Sequence, residues 1–166
     1  MPTNLVSLPS VIDVFNEIVN SLSGSEIHLM SIVAVLVVLI HGVLILLIMA
    51  CFNTVHQRYG GSKTKGLDTL VYFTVVLLIL LSHLIDIFLW TYAMVGVTVF
   101  PSVIKTFYFA GEMYTNLDHN DPLYKLGSEW RMLPILISFS GLFAVAISGA
   151  ALFSLLISTF DRRSKK

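Results

Sequence analysis

The stretch PSVIKTFYFAGEMYTNL, Pro101 to Leu117, decides how this chain of 166 residues is to be read. It is apolar, yet it carries Lys105 and Glu112, spans 17 residues, and is followed at once by polar side chains. A helix crossing about 30 Å of hydrocarbon needs roughly 20 apolar residues, so this one is too short for a crossing. It reads as a re-entrant or interfacial helix. Lipid cannot satisfy the backbone ends of such a segment, so protein or water must do so, and the segment is expected to line a cavity.

Long apolar runs flank it. Residues 132–160 follow, with Pro134 in the first turn, where a missing amide costs little, and with Gly141 and Gly149 inside. Residues 67–99 precede it, interrupted by the ionisable residues Asp68, His83 and Asp86. As one straight helix that run would measure about 50 Å and would have to tilt or project beyond the bilayer. Residues 27–52 form another run, with His28 and His41 as its strongly polar members. An all-α membrane protein with three transmembrane helices is expected, at about 27–52, 67–99 and 132–160.

Composition agrees. A chain that is 56% hydrophobic and 12% charged, with a mean hydropathy of +0.86, is too oily for a water-facing surface, which excludes an ordinary soluble enzyme. No Gly-rich phosphate loop and no motif joining a nucleophile to a base is present, so no catalysis is expected. Lys plus Arg equals Asp plus Glu, ten of each, and no basic patch alternates with aromatics, so nucleic acid is not an expected partner. The single Cys51, between Ala50 and Phe52, reads as a small buried hydrophobe.

Residues 1–26 read as an external segment. Val11, Phe15, Ile18 and Leu22 recur at helical spacing, with Asp13, Glu17 and Asn20 elsewhere and Ser10 as a cap, giving an amphipathic surface helix. No Lys or Arg precedes the apolar stretch, so a cleaved signal is not expected. Arg58, Lys63 and Lys65 lie between the first two spans, and Arg162, Arg163, Lys165 and Lys166 in the tail at 161–166, together seven of the ten basic residues. Positive loops stay cytoplasmic, which puts the C-terminus inside and the N-terminus and residues 101–129 outside.

His41 and His83 fall near the middle of their spans, and Asp86, three residues from His83, shares its helical face. Ionisable groups inside a membrane are costly enough to mark candidate sites. A cluster of His41, His83 and Asp86 would serve as hydrogen-bonded packing, as a proton-sensitive switch, or as a holder for a metal or haem. In the last span, Ser140, Ala144 and Ser148, and on another face Ala146, Ala150 and Ser154, form the small-residue pattern of close helix contact, expected to line a pore or a subunit contact. Gly141 and Gly149 suit either a gating hinge or tight packing.

After the short helix comes the polar loop Thr115, Asn116, Leu117, Asp118, His119, Asn120, Asp121. Phe107-Tyr108-Phe109-Ala110 followed by Tyr114 and this loop resembles the pore helix and filter of potassium-channel-like proteins, whose filter reads T-T-L-G-Y-G-D; Thr115, Leu117 and Asp121 match. The likeness continues in Trp130-Arg131 and Gly141, in Leu81 to Trp90 with His83 and Asp86, and in Leu39-Ile40-His41-Gly42, covering roughly Ile40 to Leu155. It is closest to small bacterial channel-like proteins with three spans. The resemblance implies a channel-like domain at 27–160 with its pore helix and filter at about 101–121. It also implies a homotetramer around the filter, seated in a bacterial inner membrane.

The departures bear on chemistry. In the family, filter glycines turn successive carbonyls toward the axis. Here Asp118, His119 and Asn120 stand where the family has Gly, Tyr and Gly. Asp and Asn tolerate a left-handed backbone best among non-glycines, at on the order of 1 kcal/mol per residue. Four Asp118 carboxylates, with a second ring from Asp121, would draw monovalent cations or bind divalent ones. Asp118 and His119 together could instead take a transition metal, or Asp118 and Asn120 could simply cap a turn. Glu112 would brace the filter from behind or point to the outer water. Thr115 would offer a hydroxyl at the inner end of the filter or be a plain helix end. Ile137 and Ile147 stand where the family often has polar residues, implying a drier inner cavity. The expected function is a cation pore with an altered, not potassium-selective or divalent-sensitive filter, its permeant ions the only expected ligands. The alternative is a non-conducting channel-like subunit that scaffolds or regulates a larger membrane complex.

Overall fold

The structure, a computed structural model, describes residues 10–21, 24–59, 67–117 and 124–164. Its helices are α1 (Val11–Ser21), α2 (Ser25–Tyr59), α3 (Leu67–Gly96), α4 (Val103–Tyr114) and α5 (Leu133–Ser164), with a short 3-10 turn at Ser128–Trp130. Ser10 caps α1, accepting the Asp13 amide at 3.1 Å while its hydroxyl donates to the Asp13 carboxylate at 2.7 Å. The apolar stripe of α1, with Val11, Phe15 and Ile18, is exposed in the protomer.

Helices α2, α3 and α5 contain 35, 30 and 32 residues. Within them Ser25–Val55, Thr69–Gly96 and Leu133–Ser158 are long and apolar enough to cross a membrane. Their outward faces carry large apolar side chains such as Leu46, Leu77, Phe88 and Phe143, the surface of an integral membrane protein.

The boundaries differ from expectation in instructive ways. α2 runs beyond residue 52 to Tyr59, because nothing between Asn53 and Arg58 breaks a helix. α3 stops at Gly96, short of residue 99. The Thr98 amide donates to the Val95 carbonyl and the Val99 amide to Met94, both at 3.1 Å, with Thr98 left-handed at φ 55°. That is a Schellman end, and it turns the chain three residues early; at 30 residues, about 45 Å, α3 is still longer than a hydrocarbon core of about 30 Å. A β-branched residue in that conformation costs on the order of 1–3 kcal/mol. α5 continues through Ser164, so the tail expected at 161–166 begins as helix. Cys51 is exposed, on the outward side of α2 beside buried Phe52, and is not a core residue.

α4 starts at an extended Ser102, whose hydroxyl accepts the Lys105 amide at 3.4 Å. It ends in the same motif as α3: the Asn116 amide donates to Met113 at 3.2 Å and the Leu117 amide to Glu112 at 3.0 Å, with Asn116 at φ 55°. At 12 residues it measures about 18 Å and crosses nothing. It lies against α3 and α5. Its first turn is tied to the neighbouring chain by the Lys105 ammonium, 5.1 Å from the Phe100 ring and 5.2 Å from the Tyr124 ring.

Its last turn reaches far down the bundle. A Cβ placed on Gly141 would lie 2.0 Å from the Tyr114 carbonyl oxygen, so the α5 backbone touches the end of α4 there. Ser138 donates to the Met113 carbonyl at 2.9 Å. Gly141 is the ninth residue of α5, about 12 Å from its start.

The interior is layered. An aromatic-rich cluster with Trp90, Met94, Phe100, Phe109, Trp130 and Ile137 fills the end that holds α4. A smaller cluster of Ile45, Phe52, Val75, Ile79 and Leu155 fills the other end. Buried His41, Ser82, Asp86 and Ser148 fall between them in each helix's sequence. This corrects the expected role of one face of α5: Ser140, Ala144 and Ser148 are buried within the chain and line neither a pore nor a subunit contact, because Trp90 and His41 bond the two serines and Ala144 packs into the aromatic-rich cluster. Ile137, fully buried in the aromatic-rich cluster, likewise faces no open cavity.

Gly141→Ala should therefore lower stability by about 1–3 kcal/mol, since the new methyl meets backbone rather than a movable side chain. Gly149→Ala, where a Cβ meets nothing within 4 Å, should be neutral or gain up to about 1 kcal/mol. Thermal unfolding of both variants in one detergent decides it; coincident curves would remove the packing constraint assigned to Gly141.

Candidate functional site

Four helices each send a polar side chain to one place. His41 comes from the middle of α2, Asp86 and His83 from successive positions on one face of α3, Tyr114 from the last turn of α4 and Ser148 from α5. His41 and Asp86 are completely buried and Tyr114 nearly so, whereas His83 is half-buried. Asp86 lies ten residues before the end of α3, about 15 Å along it, which matches the depth of Gly141 on α5.

The hydrogen bonds form a chain. The Tyr114 hydroxyl donates to Asp86 Oδ2 at 2.6 Å. Its single proton is thereby committed, so it accepts from His83 Nδ1, 2.9 Å away. His41 Nδ1 is 2.6 Å from the same Asp86 oxygen, and His41 Nε2 is 2.9 Å from Ser148 Oγ. The two imidazole rings stack obliquely, centroids 4.7 Å apart and planes at 41°. The His41 to Asp86 contact is close but is not aligned as a hydrogen bond, and both His41 Nδ1 and Asp86 Oδ1 are buried without a hydrogen-bond partner. Burial first, then the hydrogen bond and charge of Asp86, hold the Tyr114 phenol well above its ordinary pKa, so it remains a donor. One turn along α3 from Asp86, the Trp90 indole donates to Ser140 Oγ at 2.8 Å.

The structure thus brings together the three residues His41, His83 and Asp86, which sequence spacing had placed at similar depth. Tyr114 and Ser148 were missed as members. Ser148 was visible as a small residue and Tyr114 as part of the filter motif, but only the descent of α4 puts the phenol beside α3.

The loop is described in part. Thr115 is exposed, its hydroxyl donating back to the Gly111 carbonyl at 2.7 Å, the plain helix-end alternative. Asn116 and Leu117 are exposed, and Glu112 is half-buried. Asn116, Leu117 and Ser138 help line a cavity of about 410 Å³ beside the end of α4. Asp118, His119, Asn120 and Asp121 lie outside the described residues, so the carboxylate rings and the Asp118 and His119 metal alternative have no geometry here. Of the hinge candidates, Gly141 is the seat of the Tyr114 carbonyl and Gly149 opens onto free space. No protein-family model, no curated protein and no solved structure matches the chain.

Tyr114→Phe removes one hydroxyl that serves buried Asp86 and half-buried His83, leaving Asp86 Oδ2 and His83 Nδ1 short of a bond each. A loss of about 1–3 kcal/mol is expected, the cost of stranding a buried polar group. It should appear as a lowered unfolding temperature; an unchanged one would mean that water replaces the phenol at no cost.

Proposed function

We propose that this chain is the protomer of a tetrameric cation pore of the potassium-channel-like type, with a filter altered at Asp118, His119 and Asn120. One observation carries the reading: α4, too short to cross, packs its last turn against Gly141 and Asp86, roughly 12–15 Å in from the ends of α5 and α3. That depth is near the middle of a hydrocarbon core of about 30 Å. Helix ends at such a depth are tolerated where they are buried in protein or border a water-filled cavity. The C-terminal end of a helix carries partial negative charge, which favours a cation nearby.

The left-handed Asn116 supports the same reading, since it turns the chain sharply at the helix end, where a filter would begin. Downstream, Asp118 and Asp121 would add carboxylates repeated by symmetry in a tetramer, and His119 would add an imidazole. Such a mouth attracts cations generally and holds divalent ones, with no ladder of glycine carbonyls to select potassium. Glu112 would stand behind the loop, and the basic residues near α2, α3 and α5 ends would place the C-terminus in the cytoplasm and the N-terminus outside.

Reconstitution into liposomes tests the reading. Cation flux should be measured with potassium, sodium and calcium, wild type against Asp118→Asn. Wild type is expected to pass monovalent cations with little preference and to be blocked by calcium; Asp118→Asn should reduce the block about tenfold or more, as expected for losing four carboxylates at one ring. No flux under any of these conditions would reject the pore and leave the scaffolding alternative, and a block unaltered in Asp118→Asn would reject the carboxylate ring alone. Chemical labelling that finds both termini on one face would remove the re-entrant topology itself.

A further inference from the structure

We infer that His41, His83 and Asp86 form a binding site for one divalent transition-metal ion of the zinc or cobalt type, where α2, α3 and α4 meet. One ring nitrogen from each histidine and one carboxylate oxygen lie within 4.8 Å of one another, close enough to converge on a single ion with side-chain adjustment. Two imidazoles and a carboxylate are a donor set for zinc, cobalt or ferrous iron, whereas calcium and magnesium prefer oxygen ligands alone.

One orphaned atom points to a missing ligand. Asp86 Oδ1 belongs to a fully buried side chain and has no hydrogen-bond partner, while His41 Nδ1, on the facing helix, has only the unaligned contact with Asp86 Oδ2 at 2.6 Å. Burial of an unpartnered carboxylate oxygen is rare and costly, and a cation bound there satisfies it while neutralising the carboxylate. One other atom of each side chain is already held as metal ligands usually are, by an outer partner that fixes ring or carboxylate orientation. His41 Nε2 is held by Ser148, and His83 Nδ1 and Asp86 Oδ2 by the Tyr114 hydroxyl. His83, half-buried, is the least enclosed member of the trio. The ion would clamp α2 to α3, and Tyr114 would carry that clamp to the end of α4. Nothing in this site depends on conduction.

The test uses the full chain in detergent micelles, treated with chelator, freed of it, then loaded with zinc or cobalt chloride and passed through gel filtration. Wild type is expected to retain one ion per chain, to melt at higher temperature with zinc, and with cobalt to show visible absorption of four- or five-coordinate geometry. His83→Ala and Asp86→Asn should weaken binding by more than about 100-fold, beyond the loss of an outer partner. Tyr114→Phe should retain the ion with affinity reduced roughly 10–100-fold, as for such a partner. His119→Ala should bind like wild type, because His119 is not one of the three ligands. Retention of no ion at micromolar concentration, or a cobalt spectrum of the six-coordinate aquo ion, overturns the site without recourse to any variant. So does an ion that His119→Ala loses and His83→Ala keeps.

Discussion

A carboxylate in the middle of an apolar bundle must be surrounded by partners or neutralised, and Asp86 organises this molecule around that demand. Its Oδ2 is met by the Tyr114 hydroxyl and approached by His41, which in turn engages Ser148. Every helix of the bundle therefore contributes to one polar layer. Hydrophobic packing alone would let α2, α3 and α5 slide or rotate against each other, since lipid competes equally for their leucines. A polar layer at a single depth fixes their register, and the Trp90 to Ser140 bond repeats the device one turn away.

The same layer explains how a short helix can end deep inside the bundle. The last carbonyls of α4 lack helical partners, and Ser138, the Asn116 and Leu117 amides and the close approach of Gly141 accommodate them. Tyr114 then converts that position into a bond with α3. The wide aromatic cluster above, with Phe100, Phe109 and Tyr124 packed edge to face or tilted, fills the space between α4 and its neighbours. At the start of α4, Lys105 lies over two of those rings.

Much of this was legible in the residues. The three spans follow from hydropathy, because a run of more than about 20 apolar side chains has few other uses. The length of Pro101 to Leu117 separated α4 from them. His41, His83 and Asp86 stood out because ionisable groups are scarce in such runs. What could not be read was set by contact between distant segments. The end of α3 at Gly96 depends on Thr98 adopting a conformation disfavoured for its side chain, which no local preference foretells. The inward orientation of Ser140, Ala144 and Ser148 depends on the positions of Trp90 and His41, and small residues alone fit a pore, a neighbour or a core equally well. Tyr114 looked like part of a loop motif because the phenol gains its role only when α4 has descended.

The seat of α4 also dictates an order of assembly. The chain emerges from α3 into α4 before any of α5 exists, and the carbonyls at the end of α4 find Ser138 and the groove beside Gly141 only once α5 is in place. The seat of the short helix is thus built from a span that follows it in the chain, and the polar layer is complete only when Ser148 of that span meets His41.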